Sequence, residues 1–139
     1  MYNGVKFKER KRRKEECMDL LLHTETTIDS SHRLVGYDGK CNQVHGHTWF
    51  VDLWIKGDPK SLDKDGILFD FGGVKSLKDY LDHKYINDLP EFKETNPTAE
   101  NLSVFIYGFF KRIKPTLSFK VRLYETKVGK ETWCEYGDW

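Results

Sequence analysis

The segment Cys41-Asn42-Gln43-Val44-His45-Gly46-His47 leads into a run of β-forming residues, Thr48-Trp49-Phe50-Val51-Asp52-Leu53-Trp54-Ile55. Side chains alternate between the two faces of a strand, so His45 and His47 project from the same side with roughly 6–7 Å between their Cα atoms. Zinc binds imidazole nitrogen, and catalytic zinc typically has three protein ligands and one open position. The pair therefore predicts part of a zinc site. The alternative interpretation, which stays open, is that the two histidines are ordinary polar residues at a sheet surface.

A third ligand has to come from His23, His32 or His83, the other histidines of the chain. Residues 20–34 alternate like a β-strand, which predicts an antiparallel partner for the strand that begins at His45. The alternation places six residues on one face: Leu22, Thr24, Thr26, Ile28, Ser30 and His32. His23 falls on the opposite face. We therefore expect His32, at the end of its strand, to complete the site.

The composition is that of a soluble globular chain. Of 139 residues, 14% are aromatic and 32% are charged, a balance typical of one folded domain. No apolar run approaches the roughly 18 residues of a membrane span, and the start lacks a secretory signal pattern. The three cysteines have unrelated spacings, which favours free thiols over a disulfide framework. We expect a cytoplasmic protein with no membrane partner.

Residues 1–17 are set apart by their charge. They carry seven Lys or Arg against three Glu and lack apolar periodicity, which predicts a flexible basic arm before a domain at 18–139. Two alternatives stay open: the arm binds nucleic acid, or synthesis begins at Met18, where the folded pattern starts. The rest of the chain is mildly acidic, so its overall charge indicates no nucleic-acid partner.

Two amphipathic helices are predicted after the first pair of strands. Apolar residues of the first helix recur at helical spacing, at Phe71, Val74, Leu77 and Leu81. Asp82 and His83 follow at its C-terminal end, where a histidine is more often solvated than catalytic. The second helix is predicted to begin with Thr98 as its N-cap and to end before Pro115.

The last part of the chain predicts two more strands. Alternation places Phe119, Val121, Leu123 and Glu125 on one face of the first of them. A carboxylate on an inward face must meet a partner or lose its hydration, so Glu125 is predicted to bind a ligand that donates hydrogen bonds. Residues 132–136 are predicted to form one more short strand. The order β-β-α-α-β-β predicts an α+β fold, an antiparallel sheet with both helices on one side.

Five short motifs follow one another in the chain. They are His32 in Ser-Ser-His-Arg-Leu, Cys41-x-x-x-His45-Gly46-His47, Asp82-His83, Pro97-Thr98-x-Glu100-Asn101 and Glu125-Thr126. In this order, over residues 18–139, they resemble the 6-pyruvoyltetrahydropterin synthase superfamily. The resemblance implies a tunnelling fold, in which three subunits close a twelve-stranded barrel and two trimers stack into a hexamer with sites at subunit interfaces. Barrel closure would also remove the unpaired edges of a small sheet.

The resemblance further implies a substrate, 7,8-dihydroneopterin triphosphate, and a set of site residues. His32, His45 and His47 would bind Zn²⁺, Cys41 would transfer protons, Asp82 and His83 would form a second relay, and Glu125 and Thr98 would contact the pterin. No nicotinamide or flavin is implied. Arg33 and Lys40 are candidates to hold the triphosphate only because they are near in sequence.

The spacing between Cys41 and His45 indicates the branch of the superfamily. Three residues intervene, as is usual for the 6-carboxy-5,6,7,8-tetrahydropterin synthases of queuosine biosynthesis, which release acetaldehyde and triphosphate. The pyruvoyl enzymes, the alternative, usually have a longer insertion there. Two other classes stay open: a zinc hydrolase, and a basic-armed nucleic-acid binder with a structural zinc. The second of these leaves Asp82, His83 and Glu125 without a role.

Overall fold

Four antiparallel strands form one sheet in the order β1-β2-β3-β4, and both helices lie between β2 and β3 in the chain. The computed structural model describes residues 18–139, so the proposed basic arm at 1–17 lies outside the described residues. The elements are β1 (Leu20–His32), β2 (His45–Gly57), α1 (Gly72–Leu81), α2 (Ala99–Ile113), β3 (Ser118–Thr126) and β4 (Thr132–Gly137). The predicted succession of elements is confirmed.

One face of the sheet carries the hydrophobic core. β1 pairs with β2 along its whole length, from Leu20 opposite Gly57 to His32 opposite His45. The side chains buried on this face alternate along each strand; they are Ile28, Trp49, Val51, Leu53, Ile55, Phe119, Val121 and Leu123. His32, His45 and His47 share their strand parity, so the predicted common face is confirmed. The three histidines lie where this face reaches the end of β1 and the start of β2.

The two helices cover the core face of the sheet. α1 buries Val74, Leu77 and Leu81 as predicted, but the placement of Phe71 in the buried stripe is wrong. Phe71 occupies the N-cap position, before the first helical turn, and its side chain is 48% exposed. A residue at that point precedes the first helical turn, so the helical periodicity does not determine which way its side chain faces. None of the described helices is long and apolar enough to cross a membrane.

Thr98 caps α2 as the sequence predicts. Its side-chain oxygen accepts a hydrogen bond from the backbone N–H of Asn101 at 3.1 Å, an interaction that contributes about 1 kcal/mol in comparable helices. α2 then buries Leu102, Ile106 and Phe110 against the sheet. The cap fixes where the helix starts, and with it the position of the preceding Pro97 carbonyl, which reaches the histidine cluster.

Both β1 and β4 are edge strands, and the chain after α1 covers only one end of the β1 edge. The backbone N–H of Ser31 donates to the carbonyl oxygen of Lys84 at 3.0 Å, and that of His83 donates to the carbonyl of Asp29 at 2.6 Å. A parallel bridge joins Ser31 to Tyr85. These contacts hold Asp82 and His83 beside the end of β1. Among the described residues, no strand pairs with the rest of that edge.

Candidate active site and metal centre

Three imidazoles converge at the end of the β1–β2 pair. His32 and His45 are directly opposed on the two strands, and His47 follows two residues later on the same face. One ring nitrogen from each histidine lies within 4.8 Å of the corresponding nitrogen of the other two. The two closest, Nε2 of His32 and Nε2 of His45, are 3.0 Å apart. His32 is 3% exposed, so this cluster extends into the interior.

Backbone carbonyls fix the tautomer of two of the rings. Nδ1 of His32 lies 2.8 Å from the carbonyl oxygen of Pro97, and Nδ1 of His45 lies 2.8 Å from that of Gln43. A carbonyl only accepts hydrogen bonds, so each Nδ1 carries the proton and, in the neutral ring, each Nε2 carries a lone pair. Hydrogen bonds of this kind, from the ring nitrogen that does not bind the metal, orient histidine ligands in metal sites. Two lone pairs therefore face each other across 3.0 Å.

Two of the three imidazoles, those of His32 and His47, resist protonation. Burial is the largest influence on His32 and lowers its pKa below the ordinary imidazole value, and the hydrogen bond to Pro97 only partly opposes this. Burial likewise lowers the pKa of His47, against the opposing charge of Glu125. Neutral imidazole is the form that binds transition metals. The site therefore favours the protonation state that a metal requires.

His47 completes the fit to a metal ion. Its Nε2 is buried without a hydrogen-bond partner among the described residues, although Oε1 of Glu125 lies 3.5 Å away without hydrogen-bond geometry. A cation would satisfy this nitrogen and the facing lone pairs of His32 and His45 together. Three imidazoles suit Zn²⁺ and its transition-metal neighbours rather than Mg²⁺ or Ca²⁺, which prefer oxygen.

Cys41 shares a cleft with this cluster. The cleft, of about 330 Å³, is here called the Cys41 cleft; it is lined by His32, Leu34, Cys41, Thr98, Ala99, Glu100, Glu125, Thr132, Trp133 and Cys134. Cys41 lies in a short 3₁₀ turn, Lys40–Asn42, and is half-buried. Its sulfur is not part of the 4.8 Å group of histidine nitrogens. The cleft thus gathers His32, Cys41, Thr98 and Glu125, four of the residues singled out in the sequence.

His83 borders a different cleft, of about 490 Å³, which also touches His47. Oδ1 of Asp82 accepts a hydrogen bond from the backbone N–H of Asp29 at 2.8 Å, while its Oδ2 lies 3.4 Å from Nε2 of His83. His83 has φ 56°, a left-handed conformation that is uncommon outside glycine and recurs at functional sites. The His83 side chain is 81% exposed. Within one chain, His83 and Cys41 therefore line separate clefts.

Sequence reasoning missed several partners of these residues. The carbonyls of Gln43 and Pro97 left no side-chain signal, and Asp29 is distant in sequence from the Asp82 it contacts. Trp133 and Cys134, which line the Cys41 cleft, were predicted only as part of a strand. Arg33, a triphosphate candidate, lines a third cleft with Asn87 and Asn96. The role proposed for Arg33 and Lys40 stays a prediction.

Comparison with known proteins gives the site a context. The profile of the family described as 6-pyruvoyl tetrahydropterin synthase matches residues 21–138. The chain belongs to this family.

Some relatives of this chain are named 6-carboxytetrahydropterin synthases, and others are named 6-pyruvoyl enzymes. The Haemophilus influenzae 6-carboxy-5,6,7,8-tetrahydropterin synthase is 31% identical over 139 residues, which cover 83% of this chain and 96% of that protein. The Dictyostelium discoideum 6-pyruvoyl tetrahydrobiopterin synthase is 33% identical over 125 residues, with 78% and 90% covered. The chain therefore belongs to a family of pterin synthases.

The fold agrees with the family assignment. The structure of Caenorhabditis elegans 6-pyruvoyl tetrahydropterin synthase matches with a TM-score of 0.68 at 22% identity, covering 87% of this chain and 96% of that one. This confirms the predicted tunnelling-fold subunit, an antiparallel sheet with two helices.

Proposed function

We propose that the protein is a zinc-dependent lyase that converts 7,8-dihydroneopterin triphosphate into 6-carboxy-5,6,7,8-tetrahydropterin, with release of acetaldehyde and triphosphate. One observation carries the proposal: the Nε2 lone pairs of His32 and His45 face each other at 3.0 Å, beside a cleft that holds Cys41 and Glu125. Relatives of the same name support this reading. The product would serve 7-deazaguanine biosynthesis, as in the queuosine pathway.

His32, His45 and His47 would hold the zinc. When bound, zinc supplies Lewis-acid chemistry, lowering the pKa of the substrate's side-chain hydroxyls and stabilising negative charge that develops there. The Pro97 and Gln43 carbonyls keep two of the rings in the ligand tautomer, and Trp49 packs beneath His32 and His47 with ring centroids 5.2 and 5.1 Å away. These hydrogen bonds and ring contacts would keep the three histidines in the orientation that a metal requires.

Cys41 would move the side-chain protons of the substrate. A thiolate is a competent base near neutral pH when a neighbouring cation lowers its pKa, and the Cys41 cleft borders the histidine cluster through His32. Cys41 remains outside the ligand group. It is therefore available for proton transfer rather than for metal binding.

Glu125 would orient the pterin ring. Its carboxylate lies on the inward face at the end of β3, half-exposed in the Cys41 cleft. One ionised carboxylate can accept two hydrogen bonds from the adjacent N3–H and 2-amino group of a pterin. Thr98 lines the same cleft, and its hydroxyl can contact the ring while its oxygen accepts the cap hydrogen bond. Both groups would place the substrate side chain toward the metal.

Asp82 and His83 would act from a neighbouring subunit. The exposed His83 ring and Cys41 line separate clefts of one chain, and within residues 18–139 both edges of the sheet lack a partner strand over most of their length. Closing three sheets into a barrel pairs these edges. We propose that this assembly, a trimer or a hexamer of two trimers, brings His83 of one subunit to the Cys41 cleft of the next.

Mixed oligomers test that arrangement. Cys41→Ala and His83→Ala subunits are unfolded together, refolded at equal ratio, and assayed for turnover of dihydroneopterin triphosphate. If each site combines Cys41 and His83 from different subunits, about one quarter of the sites recover both residues. If both residues act within one chain, no site recovers them and the mixture stays as inactive as its components. Each variant refolded alone is the control.

Product identity tests the reaction. Zinc-loaded protein is incubated with 7,8-dihydroneopterin triphosphate, the pterin product is identified by mass, and acetaldehyde is trapped. We expect 6-carboxytetrahydropterin with one acetaldehyde per triphosphate released. A product that keeps the whole three-carbon side chain, without acetaldehyde, would assign the protein to the alternative, 6-pyruvoyltetrahydropterin synthase, which the Dictyostelium relative's name represents.

A further inference from the structure

A second group of metal-ligating side chains lies on the opposite face of the sheet from the core. It consists of His23 and Glu25 on β1 and Asp52 on β2, with one ligand atom of each within 4.8 Å of the others. Nε2 of His23 is 3.3 Å from Oδ1 of Asp52. Bonds of 2.0–2.1 Å at a tetrahedral angle separate two zinc ligands by roughly 3.3 Å. The two atoms form a hydrogen bond at the long end of the usual range, and the same spacing suits two ligands of one ion.

Two carboxylates of this group are forced together by the strand register. Glu25 and Asp52 are directly opposite each other on β1 and β2, an arrangement in which like charges destabilise a sheet. Asp52 is only 9% exposed, so water screens its charge poorly. One imidazole carries at most a single positive charge and cannot balance two carboxylates. A bound divalent cation can.

The basic side chains nearby are engaged elsewhere. Arg122 is opposite Asp52 on β3, but its Nε donates to Glu135 at 2.9 Å and its guanidinium lies 4.0 Å from the ring centre of Trp133. Lys127 stacks over the rings of Tyr124 and Phe50, at 4.8 and 5.3 Å. Among the described residues, no Lys or Arg nitrogen lies within 4.0 Å of either carboxylate.

Solvent can reach this group of side chains, and its histidine is held by a neighbouring ring. A cleft of about 350 Å³ is bordered by Glu25, Asp52 and Lys127, which provides room for water on an ion. The His23 ring packs against Trp54 with ring centroids 4.9 Å apart and the planes tilted by 32°, and its Nε2 meets Oδ1 of Asp52. One imidazole and two carboxylates form a donor set that Zn²⁺ accepts, with a position left open.

We propose that His23, Glu25 and Asp52 form a second divalent-cation site, of the Zn²⁺ type, separate from the three-histidine cluster. The site sits on the helix-free face, and its three donors come from two adjacent strands whose pairing fixes their spacing. The proposal does not depend on the proposed reaction, because the two clusters share no residue.

Zinc stoichiometry tests the second site. Metal-stripped protein is dialysed against low-micromolar free zinc, and bound zinc is measured per chain. We expect about two zinc ions per chain in the wild type and about one in Asp52→Asn and in Glu25→Gln. His45→Ala should also lose one ion, from the other cluster. Asp79→Asn, which removes an exposed helix carboxylate 2.7 Å from Lys75, is the matched control and should keep the wild-type content.

The two sites can fail independently in this experiment. Wild-type zinc content in Glu25→Gln would overturn the second site, whatever His45→Ala does. Wild-type content in His45→Ala, with a loss in Glu25→Gln, would instead count against the three-histidine cluster. Glu25 is exposed, so its variant folds even where loss of the buried Asp52 carboxylate unfolds the sheet, and circular dichroism of each variant verifies this.

Discussion

Cys41→Ala is expected to abolish turnover of dihydroneopterin triphosphate while the zinc content of the protein stays at the wild-type level. A positioned proton-transfer group contributes about 10²–10⁴-fold to a rate, so kcat should fall by at least that range. The metal should remain because the Cys41 sulfur lies outside the group of histidine nitrogens. Turnover and zinc are measured on the same preparation, which separates the two roles of the cleft.

Cys134→Ala is the matched control for this experiment. Cys134 is a second half-buried thiol in the same cleft, and its loss should leave most of the activity. Loss of zinc in Cys41→Ala would contradict the assignment of Cys41 as a base and make it a ligand. Undiminished turnover in Cys41→Ala would remove it from the mechanism altogether.

His45→Ala is expected to remove the zinc of the three-histidine cluster and, with it, the activity. The change deletes the Nε2 that faces His32 at 3.0 Å, leaving two imidazoles, one fewer than catalytic zinc sites commonly use. Zinc content should fall by about one ion per chain, and kcat by about 10³-fold or more, since the metal supplies several kcal/mol of charge stabilisation. Metal analysis after dialysis measures the first effect, and the pterin assay measures the second.

His83→Ala is the control that distinguishes the loss of a metal ligand from the loss of any histidine near the site. Its ring is exposed and lies in another cleft, so this variant should keep its zinc and lose only turnover. Wild-type zinc in His45→Ala would show that another residue completes the cluster. Glu125, at 3.5 Å from Nε2 of His47, would then be the first residue to replace.

The faces of the strands could be predicted because alternation in a β-strand is strictly local. It correctly grouped His32 with His45 and His47, and it placed Glu125 at the inward end of β3. It also put His23 on the other face, where the structure has it. The order of elements followed from the same local patterns. The error at Phe71 arose at a helix boundary, where periodicity alone does not mark the first helical turn.

The long-range contacts that bring the site residues together could not be predicted from local sequence patterns. The Pro97 carbonyl reaches His32 across 65 residues, and the Asp29 N–H reaches Asp82 across 53. The opposition of Glu25 and Asp52 requires the exact register of β1 on β2, which a one-residue shift would destroy. The division of the chain at residue 17 and the cytoplasmic location stay predictions.

Zinc dependence of substrate loss tests the central claim most directly. Zinc is first removed from the protein with a chelator, and zinc is then restored to one half of the sample. Each half is mixed with 7,8-dihydroneopterin triphosphate, with protein in excess over substrate, and the loss of substrate is followed over a single turnover. We expect substrate loss only in the zinc-restored sample, with no such recovery when His45→Ala is treated identically. Equal rates of substrate loss with and without zinc would contradict zinc-dependent catalysis at the three-histidine cluster. So would a recovery of substrate loss in His45→Ala equal to that of the wild type.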